Sequence, residues 1–409
     1  MHDATEHSAT KHTLARRSNC TRAPFWCSSC GCEASERPLR GQLPDTGFGN
    51  RLSKMLSFAA IGEALGRRVL TFWPTLGNTN YKKHMGRRYY GSLQELQDLV
   101  WLPSALHFLE DGPDPDAVQA VQASNASRKS GTLFSKISLE HADTVPVEAQ
   151  GHELIYGWGH PEGTWYYWNR WAASGTWPPP CVEHAAFLTH CRAVLTKLRP
   201  RIDFGNPPPR SYNVLHVRRG DRGSTAQLRK HDPQSLNLTW QNVHTITRRT
   251  GLPWLVVSDD QSELPEIKET LRSQYGARVV TLGAAASNST SPLQAVLRDF
   301  FAMAAAAGIV FSGLRSGPWV DSTLSSMAAV VGQTPLLVPA NATDRRYSYI
   351  RFLQKLSNHS GTPFPYLFMA EQVDDFTEEL ESCRERPYPL PLAPDGPAAR
   401  HECYTNTST

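Results

Sequence analysis

Residues 211–221 read SYNVLHVRRGD. Tyr212 to Val217 is a nearly unbroken apolar run, and Arg218-Arg219-Gly220-Asp221 follows at once, so a buried strand is expected to end where charge begins. The same pattern repeats outward from it. Apolar runs of strand length stand at 212–217, 254–258, 278–282, 309–312 and 335–338. Helical periodicity fills the gaps, most clearly at 262–275, 293–307 and 319–331. Strands that are apolar throughout and alternate with helices predict a parallel sheet covered on both faces, which is a Rossmann-like domain. We place it at 211–370, after a linker from Pro200 to Arg210 that holds four prolines, and before a tail at 385–409.

A second α/β domain is expected over 41–205. Thr46-Gly47-Phe48-Gly49-Asn50 reads as a glycine turn, and Leu52, Met55, Leu56, Ala59 and Ala60 then recur at helical spacing. Gly66 ends that helix, and Val69 to Trp73 reads as a buried strand. The strand that should precede the turn, Leu39 to Thr46, is poor, with prolines at 38 and 44 and little β-branched character. A short helix is expected at Ser92 to Leu99, a surface loop at Asp111 to Lys129, and a helix from Val182 to Leu198. Five of the eleven tryptophans crowd between Trp158 and Trp177, among Tyr156, Tyr166 and Tyr167. Residues 1–40 carry no α/β pattern and stand as a leader of uncertain structure.

The 409 residues suit two domains, and 40% apolar with 20% charged residues describes a globular chain. No window approaches the roughly 18 apolar residues of a spanning helix, so no membrane anchor is expected within this sequence. A net charge of +4 from 42 basic and 38 acidic residues gives no reason to expect a nucleic-acid partner. Sequons for N-glycosylation stand at Asn19, Asn125, Asn237, Asn288, Asn341, Asn358 and Asn406, against roughly two to four expected by chance. That excess, with eight cysteines, points to the secretory pathway, in the Golgi or the ER lumen, although residues 1–40 show no signal or anchor. Cys181 with Cys191 and Cys383 with Cys403 are the candidate disulfides. Cys27 and Cys30 have zinc-knuckle spacing, but no second ligand pair stands at a suitable distance from them, so no metal site is expected.

In a parallel sheet, ligands bind beyond the carboxyl ends of the strands. Arg218 and Arg219 at the first such end could clamp a phosphate, because guanidinium groups pair bidentately with its oxygens and stay charged. Val257-Ser258 runs into Asp259-Asp260, carboxylates suited to ribose hydroxyls or to orienting the arginines. Phe311-Ser312 runs into Gly313-Leu314-Arg315-Ser316-Gly317, a turn whose N–H groups would face an anion at the start of the next helix. Each signal has an ordinary structural reading: solvated arginines, an Asp helix cap, a common Gly-Ser turn. Their conjunction at three strand ends of one sheet favours a phosphate ligand.

His216-Val217-Arg218-Arg219-Gly220-Asp221 resembles the H-x-R-R-x-D peptide of α1,2- and α1,6-fucosyltransferases. Gly47-Phe48-Gly49-Asn50 resembles the G-x-G-N turn of those enzymes and of protein O-fucosyltransferases. Asp299-Phe300 and Ser316 resemble two further positions, so the resemblance spans roughly residues 41–340. It implies a GT-B fold, two Rossmann-like domains with a cleft between them, and a GDP-sugar held mainly by the second. It also implies that Arg218 and Arg219 bind the diphosphate and stabilise leaving GDP without a metal. Further, His216 would touch guanosine or sugar, Asp299 the guanine edge, Ser316 a phosphate, and Asn50 the fucose or the acceptor.

The chain departs from the pattern in two places. No glutamate stands in Gly223-Ser224-Thr225-Ala226-Gln227, leaving Asp221 as the first candidate for the base, and Arg315 is an added charge in the serine turn. The expected activity is inverting, metal-independent transfer of fucose from GDP-fucose to a glycan or glycoprotein, with α1,2 or α1,6 linkage favoured. Half of the 156–177 aromatics are assigned to the core and the rest to the acceptor side. The alternatives are a degenerate protein that binds nucleotide-sugar or glycan without turnover, and a dinucleotide enzyme, which lacks its G-x-G-x-x-G.

Overall fold

The computed structural model describes residues 39–41, 43, 48–65, 68–74, 91–109, 154–155, 194, 197–218, 233–258, 262–282, 291–312, 322–339 and 367–390. The expected loop at 111–129, the aromatic segment at 156–177, the leader through 38 and the tail from 391 lie outside them, as does most of the expected helix at 182–198. The chain divides into two compact units that are not contiguous in sequence. One comprises Met1–Gln42, Ser57–Phe72 and Ser104–Ala193; the other comprises Leu43–Leu56, Trp73–Pro103 and Val194–Thr409. The expected boundary near 205 therefore gives way to one that assigns 43–56 and 73–103 to the C-terminal unit.

The first unit is built on a parallel sheet. Strand β1 (Leu39–Gly41) pairs with β2 (Val69–Thr71) on one side and β5 (Leu154–Ile155) on the other, and β4 (Leu106–Phe108) lies outside β2. Of the poor strand expected at 39–46, Leu39–Gly41 forms β1, held between a neighbour on each side. Helix α1 (Phe48–Leu65) belongs to the second unit through Leu56 and to the first from Ser57. It starts at Phe48, so Gly49 and Asn50 lie in its first turn and not in the loop expected before it.

The second unit carries a six-stranded, all-parallel sheet. Its strands are β7 (Asn213–Val217), β8 (Trp254–Ser258), β9 (Val279–Val280), β10 (Gly308–Ser312), β11 (Leu336–Val338) and β12 (Leu367–Met369), in the order β12-β11-β10-β7-β8-β9. Every residue of β7, β8 and β10 is buried, as continuous apolar runs require of a sheet with helices on both faces. Leu215, Val217, Trp254, Val256 and Val310 pack on one face with Val243 and Ile246 of α3 (Pro233–Thr250). Ile267 and Leu271 of α4 (Leu264–Tyr275), and Phe376 and Leu380 of α7 (Val373–Glu385), complete that core.

Two more helices, α5 (Pro292–Ala305) and α6 (Thr323–Gly332), pack on each other so closely that a Cβ on Gly332 would stand 2.0 Å from the Ala304 carbonyl oxygen. Helix α2 (Leu93–Leu99), capped by Ser92, joins them through Glu95, which accepts a hydrogen bond from Ser291, the N-cap of α5. A small antiparallel pair, β3 (Val100–Trp101) with β6 (Arg199–Pro200), stacks Trp101 against the guanidinium groups of Arg199 and Arg201. Cys383 is a free thiol buried on α7, its sulfur 3.7 Å from the Gln333 carbonyl oxygen; Cys403, its expected partner, lies outside the described residues.

Candidate functional site

Numbered within the second sheet, the strand order reads 6-5-4-1-2-3, that of doubly wound nucleotide-binding sheets. Successive connections leave in opposite directions at β7 and β10, which opens a crevice at their carboxyl ends. The register places Ser258, Val217 and Ser312 side by side at that edge. Arg218 follows β7 directly, its N–H donating to the Ser312 carbonyl at 3.1 Å. The most specific motif of the sequence thus starts at the switch point of the sheet.

By strand alternation His216 and Arg218 share a side. His216 is 3% exposed and its ring lies 5.4 Å from that of Phe311, so it forms the floor of this edge. Arg218 stays partly exposed, and its Nη1 reaches the Ser322 hydroxyl at 3.5 Å. Ser322 is the N-cap of α6 and makes no side-chain cap bond to that helix.

Gly49 completes the arrangement. A Cβ there would stand 2.6 Å from Leu324 N and 2.8 Å from both Leu324 Cα and the Thr323 carbonyl carbon. Only glycine lets the first turn of α1 lie on the first turn of α6, backbone to backbone. Two helix N-termini therefore meet, each the positive end of its helix dipole, equivalent to roughly half a charge. Neither has an acidic residue in its first turn. Arg51 and Lys54 of α1 are buried as well: Arg51 donates to the Pro74 carbonyl and lies 5.4 Å from the Trp73 ring, and burial pulls the Lys54 ammonium down to about 7. The positive ends of two helices and the guanidinium of Arg218 converge where the sheet opens, an arrangement that favours an anion.

Asp299 stands on α5, a quarter exposed, 3.9 Å from Arg298 Nε. Burial pushes its carboxyl up to about 6, against the opposing pull of Arg298. Ser312 ends β10 with its hydroxyl buried and without a hydrogen-bond partner. Among the described residues no group of three or more His, Cys, Asp or Glu side chains is placed to hold a metal. Nor is any described helix long and apolar enough to cross a membrane.

Of the expected site residues, the structure brings Gly49 and Arg218 together around the start of α6, sets His216 beneath Arg218, and puts Asp299 on α5. Asn50 is described by its backbone, in the first turn of α1. Gly47, Arg219, Asp221, Asp259, Asp260, Arg315, Ser316 and Gly317 lie outside the described residues. Sequence reading missed Ser322 and Arg51. Ser322 precedes an apolar helix, a cap signature that could have marked it; an arginine within the apolar stripe of α1 was the signal for Arg51.

The fold is that of a doubly wound nucleotide-binding sheet. Among solved structures the chain is similar to POFUT1 in complex with GDP-fucose, at 12% identity and TM-score 0.35 over 73% of this chain and 95% of that one. It is similar to FUT1 from Arabidopsis thaliana in complex with GDP, at 12% identity and TM-score 0.39 over 75% and 71% of the two chains. It is also similar to the UDP-GlcNAc 2-epimerase of Methanocaldococcus jannaschii, at 9% identity and TM-score 0.36 over 87% and 96%. Likeness of this size selects no activity, since transferases and an epimerase stand at the same level. No protein-family model and no curated protein sequence matches the chain.

Proposed function

We propose that this protein is an inverting glycosyltransferase that moves fucose from GDP-fucose to a glycan or glycoprotein in the lumen of the Golgi or ER. The observation that carries the reading is the convergence of Arg218 with the N-termini of α1 and α6 at the switch point of the sheet. A diphosphate is the anion that suits it, since the sugar–phosphate bond breaks with negative charge developing on the β-phosphate. Arg218 and its neighbour Arg219 would neutralise that charge, the helix N–H groups would hold the remaining oxygens, and no metal is required of such a site. An acceptor hydroxyl attacks the anomeric carbon as the carbon–oxygen bond to GDP breaks, and its proton passes to a carboxylate for which Asp221 is the candidate. Asp299 would read the guanine edge, accepting hydrogen bonds as the ionised carboxylate, while Asn50, Asp259, Asp260, Arg315, Ser316 and Gly317 would line donor and acceptor.

Calorimetric titration of GDP and GDP-fucose, with and without EDTA, tests the reading on wild type, Arg218→Ala and Arg219→Ala. Binding that survives EDTA and weakens by roughly 10- to 100-fold in each variant is the expected result. A folded wild-type chain that binds neither ligand overturns it. The second reading, a protein that binds nucleotide-sugar without turnover, is favoured by the missing glutamate in 223–227. GDP binding with no transfer or hydrolysis of GDP-fucose over an acceptor panel would establish that reading instead.

A further inference from the structure

Helix α3 carries Asn237-Leu238-Thr239, the one sequon whose three residues all fall among the described residues. Asn237 is exposed, whereas Thr239 turns inward at 2% exposure, and neither Leu238 nor Trp240 is a proline that would block modification. Trp240 follows three residues on, so it shares the face of Asn237. Helical side chains lean toward the N-terminus, which lays the indole back over the turn that carries Asn237. This indole is stacked on Tyr275 of α4 with centroids 5.4 Å apart and planes 11° from parallel, and His244, one turn further on, meets the same phenol at 5.8 Å. Both rings remain partly exposed. The outer end of the α3–α4 contact is thus a partly exposed aromatic stack, with the sequon asparagine one helical turn away.

We propose that Asn237 is N-glycosylated and that its first N-acetylglucosamine residue packs over Trp240, as a third layer on the indole–phenol stack. The apolar face of a pyranose suits an indole, which offers a large, rigid, amphipathic surface. The modification rests on the lumenal part of the reading above and is independent of the transferase part. Its donor is a lipid-diphosphate oligosaccharide: the Asn237 amide nitrogen bonds to the anomeric carbon, the bond from that carbon to the diphosphate oxygen breaks, the lipid diphosphate leaves with the electron pair, and the amide proton goes to a base. Because Thr239 is buried, attachment has to precede the closing of α3 onto the sheet.

The test uses the protein isolated from the cells that make it. Peptide N-glycosidase in heavy-oxygen water converts each occupied asparagine to labelled aspartate, and peptide mass spectrometry reads the sites. Label at Asn237 is expected. Removing glycan from the folded protein should lower the melting temperature by roughly 1–3 °C, and this drop should shrink in Asn237→Gln, which lacks the glycan at 237, and in Trp240→Leu, which keeps an apolar side chain without the indole. Label at other sequons but not at Asn237 overturns the proposal and leaves the lumenal reading standing. Absence of label from every sequon overturns both. An undiminished drop in Trp240→Leu overturns the packing on the indole.

Discussion

Strand β7 has an arginine near each end, and the two do opposite things. Arg210 precedes its amino end, with a left-handed φ of 62°, and is 7% exposed. It donates to the Ala306 carbonyl at 2.5 Å, the Gly332 carbonyl at 2.6 Å and the Thr334 hydroxyl at 2.8 Å, and its guanidinium lies 5.6 Å from the Tyr388 ring. Those carbonyls close the C-termini of α5 and α6, so the cation answers two negative helix ends without any carboxylate. Arg218 follows the carboxyl end, stays partly exposed, and meets the N-cap of α6 at 3.5 Å, where helix ends are positive. A cation beside negative helix ends is neutralised by the fold; a cation beside positive ones adds to a field that favours an anion. Position on the sheet, not residue type, assigns the role.

The comparison breaks first at Arg210. Arg210→Met should cost about 3–5 kcal/mol of stability, since it leaves two buried helix ends and a hydroxyl without their charged donor. Chemical denaturation measures this, and a change below 1 kcal/mol would mean the network is dispensable. Gly49→Ala comes next: its Cβ must displace the backbone of α6, at about 1–3 kcal/mol, and GDP affinity should fall with it. Arg218→Ala should do the reverse of Arg210→Met, leaving stability within about 0.5 kcal/mol while weakening GDP by roughly 10- to 100-fold, as loss of a charge-assisted pair to phosphate predicts. Equal loss of stability in Arg210→Met and Arg218→Ala would erase the distinction between the two ends.

Asp299 gives the smallest effect and sharpens the comparison through pH. Its carboxyl titrates near 6 in the fold and near 3.8 when exposed, so between those values the folded chain holds a proton that the unfolded chain has lost. Its contribution to stability therefore falls as pH rises from about 4 to 6 and is level above that, by on the order of 1–2 kcal/mol once its partial exposure is allowed for. Asp299→Asn should flatten that part of the melting-temperature profile and gain stability at pH 7. If Asp299 reads guanine as the carboxylate, GDP affinity in wild type should rise through pH 6, a rise that Asp299→Asn loses.

The parallel strands were the most legible part of the chain. The run at 254–258 is strand residue for residue, because a strand buried on both faces must be apolar throughout. Helix α3 was not singled out. It is rich in threonine and asparagine, and Thr245, Thr247 and Thr250 bond back to carbonyls one turn earlier, so it helps cover the sheet with weak intrinsic propensity. Strand β12 and helix α7 were missed too: a three-residue strand and an acidic helix follow a long stretch without clear period, and only the pairing of Leu336 to Val338 with Leu367 to Met369 adds them to the sheet.

The sequence by itself determined that a parallel sheet ends in charge at Arg218 and that glycine recurs ahead of the first helix. Both follow from local rules, the apolarity of a doubly covered strand and the punctuation of turns. It did not determine why Gly49 must be glycine. Sequence reading offers a turn, whereas the fold places Gly49 inside a helix, where the reason is the absence of a Cβ against a backbone 274 to 275 residues away in sequence. It likewise could not rank Arg210 below Arg218 as a ligand group, or find Ser322. Those assignments depend on which helix ends face which edge of the sheet, and only strand order decides that.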